Sequence, residues 1–117
     1  MIDIYGIPTC GSVKKALAWA RAEGVEFTFH NFRTEAPSEA LLDGWLKSVP
    51  VEKLANTAGQ TWRRLDADLR AAAKENPAML RTLMLSSPLL IKRPVIVWAD
   101  GTVTCGVDEA LWATLAR

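Results

Sequence analysis

The sequence predicts an α/β fold in which a mixed four-stranded sheet is shared between an N-terminal βαβ unit and a C-terminal ββα unit. A helical insertion over about residues 37–88 separates the two units. Three observations lead there. Ile2, Ile4, Tyr5 and Ile7 supply β-branched and aromatic character, Gly6 and Pro8 punctuate the chain, and apolar residues at helical spacing then run from Val13 to Ala22. Val25–Phe32 alternates as a second strand, so strand, helix and strand make a parallel crossover. Late in the chain, Arg93-Pro94 introduces the apolar run Val95–Trp98, and Asp100-Gly101 signals a hairpin that returns over Thr102–Cys105.

The first helix is expected from about Ser12 to Glu23, with Gly24 suited to a C-terminal cap. Pro37-Ser38-Glu39 opens the next helix, which runs to Val49 with Ser38 as its cap and Leu41, Leu42, Trp45 and Leu46 as its buried stripe. Pro50 to Arg64 reads as short helical turns around Gly59. Asp66–Ala73 and Pro77–Leu85 are again helical, with Pro77 at a helix start and Pro88 beyond the end. A last helix begins near Asp108 and carries Leu111, Trp112 and Leu115. The five tryptophans fall mostly on apolar faces, where core packing accounts for them. A βαβ unit, a helical insertion and a ββα unit is the layout of the thioredoxin-like fold, with its active cysteine between the first strand and the first helix. In that fold the proline before the third strand is cis, and Pro94 occupies this place.

A chain of 117 residues is expected to form one domain over residues 1–117. Half of it is hydrophobic and 23% is charged, which excludes disordered and fibrous classes. Fourteen basic and thirteen acidic residues leave a net charge of +1, so no electrostatic footprint for nucleic acid is present. No apolar run approaches transmembrane length, and the chain enters a strand at once with no signal peptide. A cytoplasmic monomer with reduced thiols is the resulting expectation. One histidine and two distant cysteines, Cys10 and Cys105, offer no metal-ligand cluster, and no bound cofactor is expected.

Cys10 is the candidate nucleophile. A cysteine just ahead of a first helical turn faces unpaired backbone N–H groups and the positive end of the helix dipole, which favour thiolate over thiol. Free cysteines are most often small buried hydrophobes. A turn between Pro8-Thr9 and Gly11-Ser12 makes burial the less natural explanation here. Lys14 and Lys15 add positive charge one turn on, where acidic residues ordinarily serve a helix better. At least one of the two is expected to point to solvent, and Lys14 is the candidate to assist the thiolate. His30, in a strand with no visible partner, reads as structural or merely exposed rather than catalytic, and Cys105 reads as an inert core or hairpin residue, with a resolving thiol as the alternative.

Three stretches carry a family resemblance: YGIPTCGSVKKALAW, LANTAGQTWRRLD and SSPLLIKRPVIV. In this order they resemble the ArsC/Spx/YffB family of thioredoxin-fold proteins, and its YffB-like branch in particular. The resemblance implies a cytoplasmic, glutathione-dependent thiol or oxyanion reductase in which one cysteine, Cys10, forms mixed disulfides. Glutathione is the implied co-substrate, glutaredoxin an implied partner, and a small oxyanion or a disulfide the substrate. Arg93 matches an arginine that holds the oxyanion beside the thiolate, a task suited to its planar, permanently charged fork. Pro94 is the implied cis turn. Two further oxyanion arginines of glutathione-coupled arsenate reductases align with Asn56 and Gly106. Asn56, Thr57 and Arg63 have two readings: a solvated helical turn with Thr61 as N-cap, or groups near Cys10 with Arg63 holding an anionic ligand. The resemblance also admits a Spx-like regulator that binds RNA polymerase. Spx proteins often carry a Cys-x-x-Cys switch at this loop, whereas Val13 stands in place of its second cysteine here.

Overall fold

A computed structural model describes residues 1–117 and has the thioredoxin-like fold. Its sheet contains β1 (Ile2–Gly6), β2 (Phe27–Asn31), β3 (Val95–Val97) and β4 (Val103–Cys105), in the order β2-β1-β3-β4. β2 runs parallel to β1, β3 antiparallel to β1, and β4 antiparallel to β3. The chain divides into two compact units, one of Met1–Glu35 with Arg93–Arg117 and the other of Ala36–Lys92.

In the first unit, α1 (Gly11–Ala22) and α7 (Glu109–Leu115) cover one face of the sheet. Ile2, Ile4, Ala16, Ala20, Ile96, Trp98 and Trp112 form the buried core on that face. α1 ends in a Schellman arrangement: Gly24 has φ 67, its N–H donates to the Arg21 carbonyl, and the Val25 N–H donates to the Ala20 carbonyl at 2.9 Å. Val25 thereby belongs to the helix cap, which is why β2 begins at Phe27 rather than at Val25. At the hairpin, Asp100 accepts the Thr102 N–H at 2.9 Å and Gly101 has φ 90.

The second unit contains α2 (Glu39–Leu46), α3 (Val51–Leu54), α4 (Gln60–Arg63), α5 (Ala67–Lys74) and α6 (Pro77–Ser86), followed by a 3₁₀ turn over Pro88–Leu90. Ser38, Asp66 and Asn76 cap α2, α5 and α6 through their side chains. Leu42 and Trp45 are the fully buried members of the stripe expected on α2. α6 packs against α3, α5 and the 3₁₀ turn. It is also tied to α2, because the Arg81 guanidinium takes both Asp43 oxygens, at 2.7 and 3.0 Å, and Glu39 at 3.1 Å. That fork holds the Asp43 carboxyl below the usual carboxylate range. Thr61 lies inside α4, whose N-cap is Gly59, so the expectation of a Thr61 cap is corrected. The first main-chain bond of this turn runs from the Arg63 N–H to the Gly59 carbonyl at 3.2 Å, so the helix starts two residues ahead of the Thr61 hydroxyl. No helix is long and apolar enough to cross a membrane.

The sheet face opposite α1 and α7 carries Asp3, Tyr5, His30, Val95 and Cys105, by strand alternation and register. His30 has two partners there, which corrects the partnerless reading: its Nε2 meets Asp3 and its Nδ1 meets Glu35, each at 2.9 Å. The Tyr5 ring stacks on the imidazole at 4.4 Å between centroids. Burial lowers the His30 value, but the hydrogen bonds and charges of Asp3 and Glu35 outweigh it, so the imidazole titrates above its ordinary 6.5. Burial and the same two carboxylates push the Tyr5 phenol above 10.0. Two carboxylates facing two ring nitrogens are satisfied only by the imidazolium, which donates from both. The stability this contributes is complete below the unfolded value of about 6.5 and disappears as pH rises through the raised folded value. The urea midpoint is therefore expected to fall between about pH 6 and pH 8 in the wild type and to change less over that interval in His30→Gln.

Candidate functional site around Cys10

Cys10 is the N-cap of α1, with φ −76 and ψ 128. Its backbone N–H donates to the Ile7 carbonyl at 3.2 Å, and its carbonyl accepts the Lys14 N–H at 2.9 Å. The half-buried thiol makes no capping hydrogen bond to the helix. The first-turn amides at an α-helix N-terminus lack intrahelical acceptors, and α1 has no acidic residue in that turn. An anion forming at or near the Cys10 sulfur therefore meets N–H donors and no local carboxylate on this helix.

The position of that turn rests on Gly6. A Cβ added to Gly6 would lie 2.4 Å from Val13 Cγ2, so only glycine lets α1 lie this close to the end of β1. Pro8 and Thr9 between them are exposed. The register pairs Tyr5 with Val95 and Val95 with Cys105, so one residue further Gly6, Pro94 and Gly106 line up across three strands. The Gly106 N–H closes this row by donating to the Pro94 carbonyl at 3.0 Å. The Arg93-Pro94 peptide is cis, Pro94 is buried and Arg93 is half-buried. Cys10, Arg93 and Pro94 thus sit at the same end of the sheet. Lys14 is exposed in α1, four residues after Cys10 and on nearly the same side of the helix.

Asn56 and Arg63 belong to the second unit, where both side chains shape their own loop. Asn56 Oδ1 accepts the Ala58 N–H at 3.1 Å, its backbone N–H donates to Leu90 at 2.7 Å, and Arg63 donates to the Ala58 carbonyl. Cys105, half-buried in β4 opposite Val95, is not joined to Cys10 by a disulfide. No group of three or more His, Cys, Asp or Glu side chains is placed to hold a metal ion.

Two features escape the sequence reading. Lys15 is paired with Glu109, the first residue of α7, at 3.9 Å. Gly106 has φ 77, and its signal in the sequence was a glycine at the exit of a strand. A side chain at Gly106 is strained whatever its chemistry. Gly106→Ala is expected to cost about 1–2 kcal/mol in chemical denaturation, and Gly106→Arg at least as much.

Comparison with known proteins bears on the family and the fold. Residues 5–115 match the model of the ArsC family. A solved structure named YffB protein is 29% identical and superposes with a TM-score of 0.91 over 100% of both chains. An arsenate reductase (ArsC) related protein from Brucella melitensis is 39% identical with a TM-score of 0.75, over 97% of this chain and 92% of that one. An uncharacterized protein from Haemophilus influenzae is 32% identical over 109 residues, 93% of each chain. More distant relatives include an arsenate reductase from Rhizobium meliloti, 29% identical over 94% of this chain and 78% of that one. The global transcriptional regulator Spx of Lactiplantibacillus plantarum is 25% identical over 83% of this chain and 73% of that one.

Proposed function

The chain belongs to the ArsC family, and from that premise we propose that it is a glutathione-dependent reductase working through the single nucleophile Cys10. The observation that carries this reading is the uncapped Cys10 thiol at the start of a helix whose first turn bears no acid. In the proposed cycle the Cys10 thiolate attacks the glutathione sulfur of a mixed disulfide. A Cys10–glutathione disulfide forms as the substrate thiol leaves and takes up a proton. A second glutathione thiolate then attacks that disulfide, releasing oxidised glutathione and restoring Cys10. Cys10 is oxidised in the first step and reduced in the second, so one glutathione thiol per turnover is the net reductant. Glutaredoxin is the proposed partner where the adduct must be removed faster.

Arg93 is the proposed anion-binding group, with Lys14 beside the same helix start and Pro94 shaping the strand that presents Arg93. Asn56 and Arg63 are proposed to hold the loop of the second unit in shape. A sulfur electrophile suits this site better than arsenate. The positions aligned with two oxyanion arginines hold Asn56 and Gly106, and a dianionic tetrahedral ligand needs several charge-assisted donors. Similarity to a global transcriptional regulator favours a second reading, transcriptional regulation, for which the proposed route is contact with RNA polymerase with Cys10 dispensable.

Intact-mass analysis after incubation with oxidised glutathione separates the two. One glutathione adduct is expected on the wild type and on Cys10-intact Cys105→Ser, and none on Cys10→Ser. Arg93→Ala is expected to lower kcat/KM for a glutathionylated substrate by about tenfold to a hundredfold, the worth of a charge-assisted hydrogen bond. Absence of an adduct at Cys10, with polymerase recovered equally by wild type and Cys10→Ser, would establish the regulatory reading instead.

A further inference from the structure

The starts of α1 and α7 are joined by one ion pair, Lys15 Nζ to Glu109 Oε2 at 3.9 Å, with the side chains 54% and 50% exposed. Lys14 lies four residues after Cys10 on nearly the same side of α1, whereas Lys15, five residues on, lies about 140° round the helix and meets the start of α7, which follows β4 at the same end of the sheet as Cys10. Of these two lysines, Lys15 is the one matched by a carboxylate. The neighbouring Asp108 is occupied as the α7 cap, accepting the Leu111 N–H at 3.1 Å, which leaves Glu109 as the carboxylate turned to α1.

Resting on the reading of Cys10 as a thiol that exchanges with glutathione, we infer that Glu109 sets the charge preference of the site. Paired with Lys15, it cancels one of the two lysine charges at the thiol's end of the sheet and so restrains attack on anionic reactants relative to neutral ones. Glu109 touches no reacting atom; it is a specificity-determining residue acting through Lys15. The step it tunes is attack of the Cys10 thiolate on a disulfide sulfur. One S–S bond forms as another breaks, Cys10 is oxidised, and the departing sulfur leaves as a thiolate that takes a proton from water.

Single-turnover rates with oxidised glutathione, which is anionic, and with bis(2-hydroxyethyl) disulfide, which is neutral, test this at about 10 mM ionic strength, where charges are weakly screened. Glu109→Gln is expected to speed the reaction with oxidised glutathione about threefold, the scale of one added net charge near a multiply charged reactant. The rate with the neutral disulfide should stay at the wild-type value. Lys15→Gln, which leaves Glu109 unmatched, is expected to slow oxidised glutathione by a similar factor, and the double variant to return close to wild type. Opposite signs in two single variants are something partial unfolding does not produce. The gain should also shrink in about 0.5 M salt. Equal effects on both disulfides, or none on either, would overturn the inference and leave the pair as a tie between helices. A wild-type protein whose Cys10 reacts with neither disulfide would overturn the reductase reading itself, and this inference with it.

Discussion

The contact between Gly6 and Val13 is the constraint on which the rest of the first unit depends. With no side chain at Gly6, Val13 seats α1 on the last residue of β1, three residues after Cys10. One and two turns further on, Ala16 and Ala20 keep the helix close to Ile2 and Ile4. The bulk excluded from that interface is supplied around it by aromatic residues. Trp19 meets Trp98 edge-on at 6.0 Å and Trp112 at 5.3 Å. Cys10 is thus positioned by main-chain bonds and by packing beneath it, while its sulfur is left out of the capping role that a serine or aspartate would fill.

Charge is distributed in keeping with that arrangement. α2, α3, α5 and α7 each have an acidic residue in the first turn, where it complements the dipole, whereas α1, α4 and α6 have none, and of these three only α1 follows its cap with two lysines. The basic residues after Cys10 are locally unfavourable to the helix and favourable to an anion at its start. In the second unit, Arg81 links α2 to α6 through two carboxylates at the surface. Such exposed pairs contribute little on their own. The second unit depends mainly on buried Leu42, Trp45, Leu54, Leu80 and Met84.

Much of the fold was legible because glycine and proline mark its boundaries. Gly24 ends α1, Asp100-Gly101 turns the hairpin, Pro77 starts α6, and Pro94 precedes β3, each through a backbone preference that acts within a few residues. The handedness of βαβ crossovers and the hairpin then leave few sheet orders to choose from. Local signals served less well where the partner is distant in sequence. His30 looked solitary because Asp3 lies 27 residues away and is brought alongside only by the parallel β1–β2 pairing. The Lys15–Glu109 pair likewise exists only once both ends of the chain lie on one sheet face. The α4 cap was misplaced at Thr61 because a hydroxyl is a strong local signal, whereas the first bond of the helix is accepted by the main chain of Gly59, which has no side chain to announce it. At Cys10 the strand, turn and helix that place the thiol were all readable. The bare approach at Gly6 was not, because it depends on the depth at which a helix settles on a strand.

The left-handed backbone at Gly106 bears on the routes by which this sequence can change. A lineage that acquired an arginine there by a single codon change would inherit strain in the row shared with Pro94 before it gained any use of the new charge. The junction between β4 and α7 would first have to rebuild its turn, giving up the bond from Gly106 to Pro94. Charge at this position is therefore coupled to the main chain, and a new side chain there comes with a change of backbone as well as of chemistry.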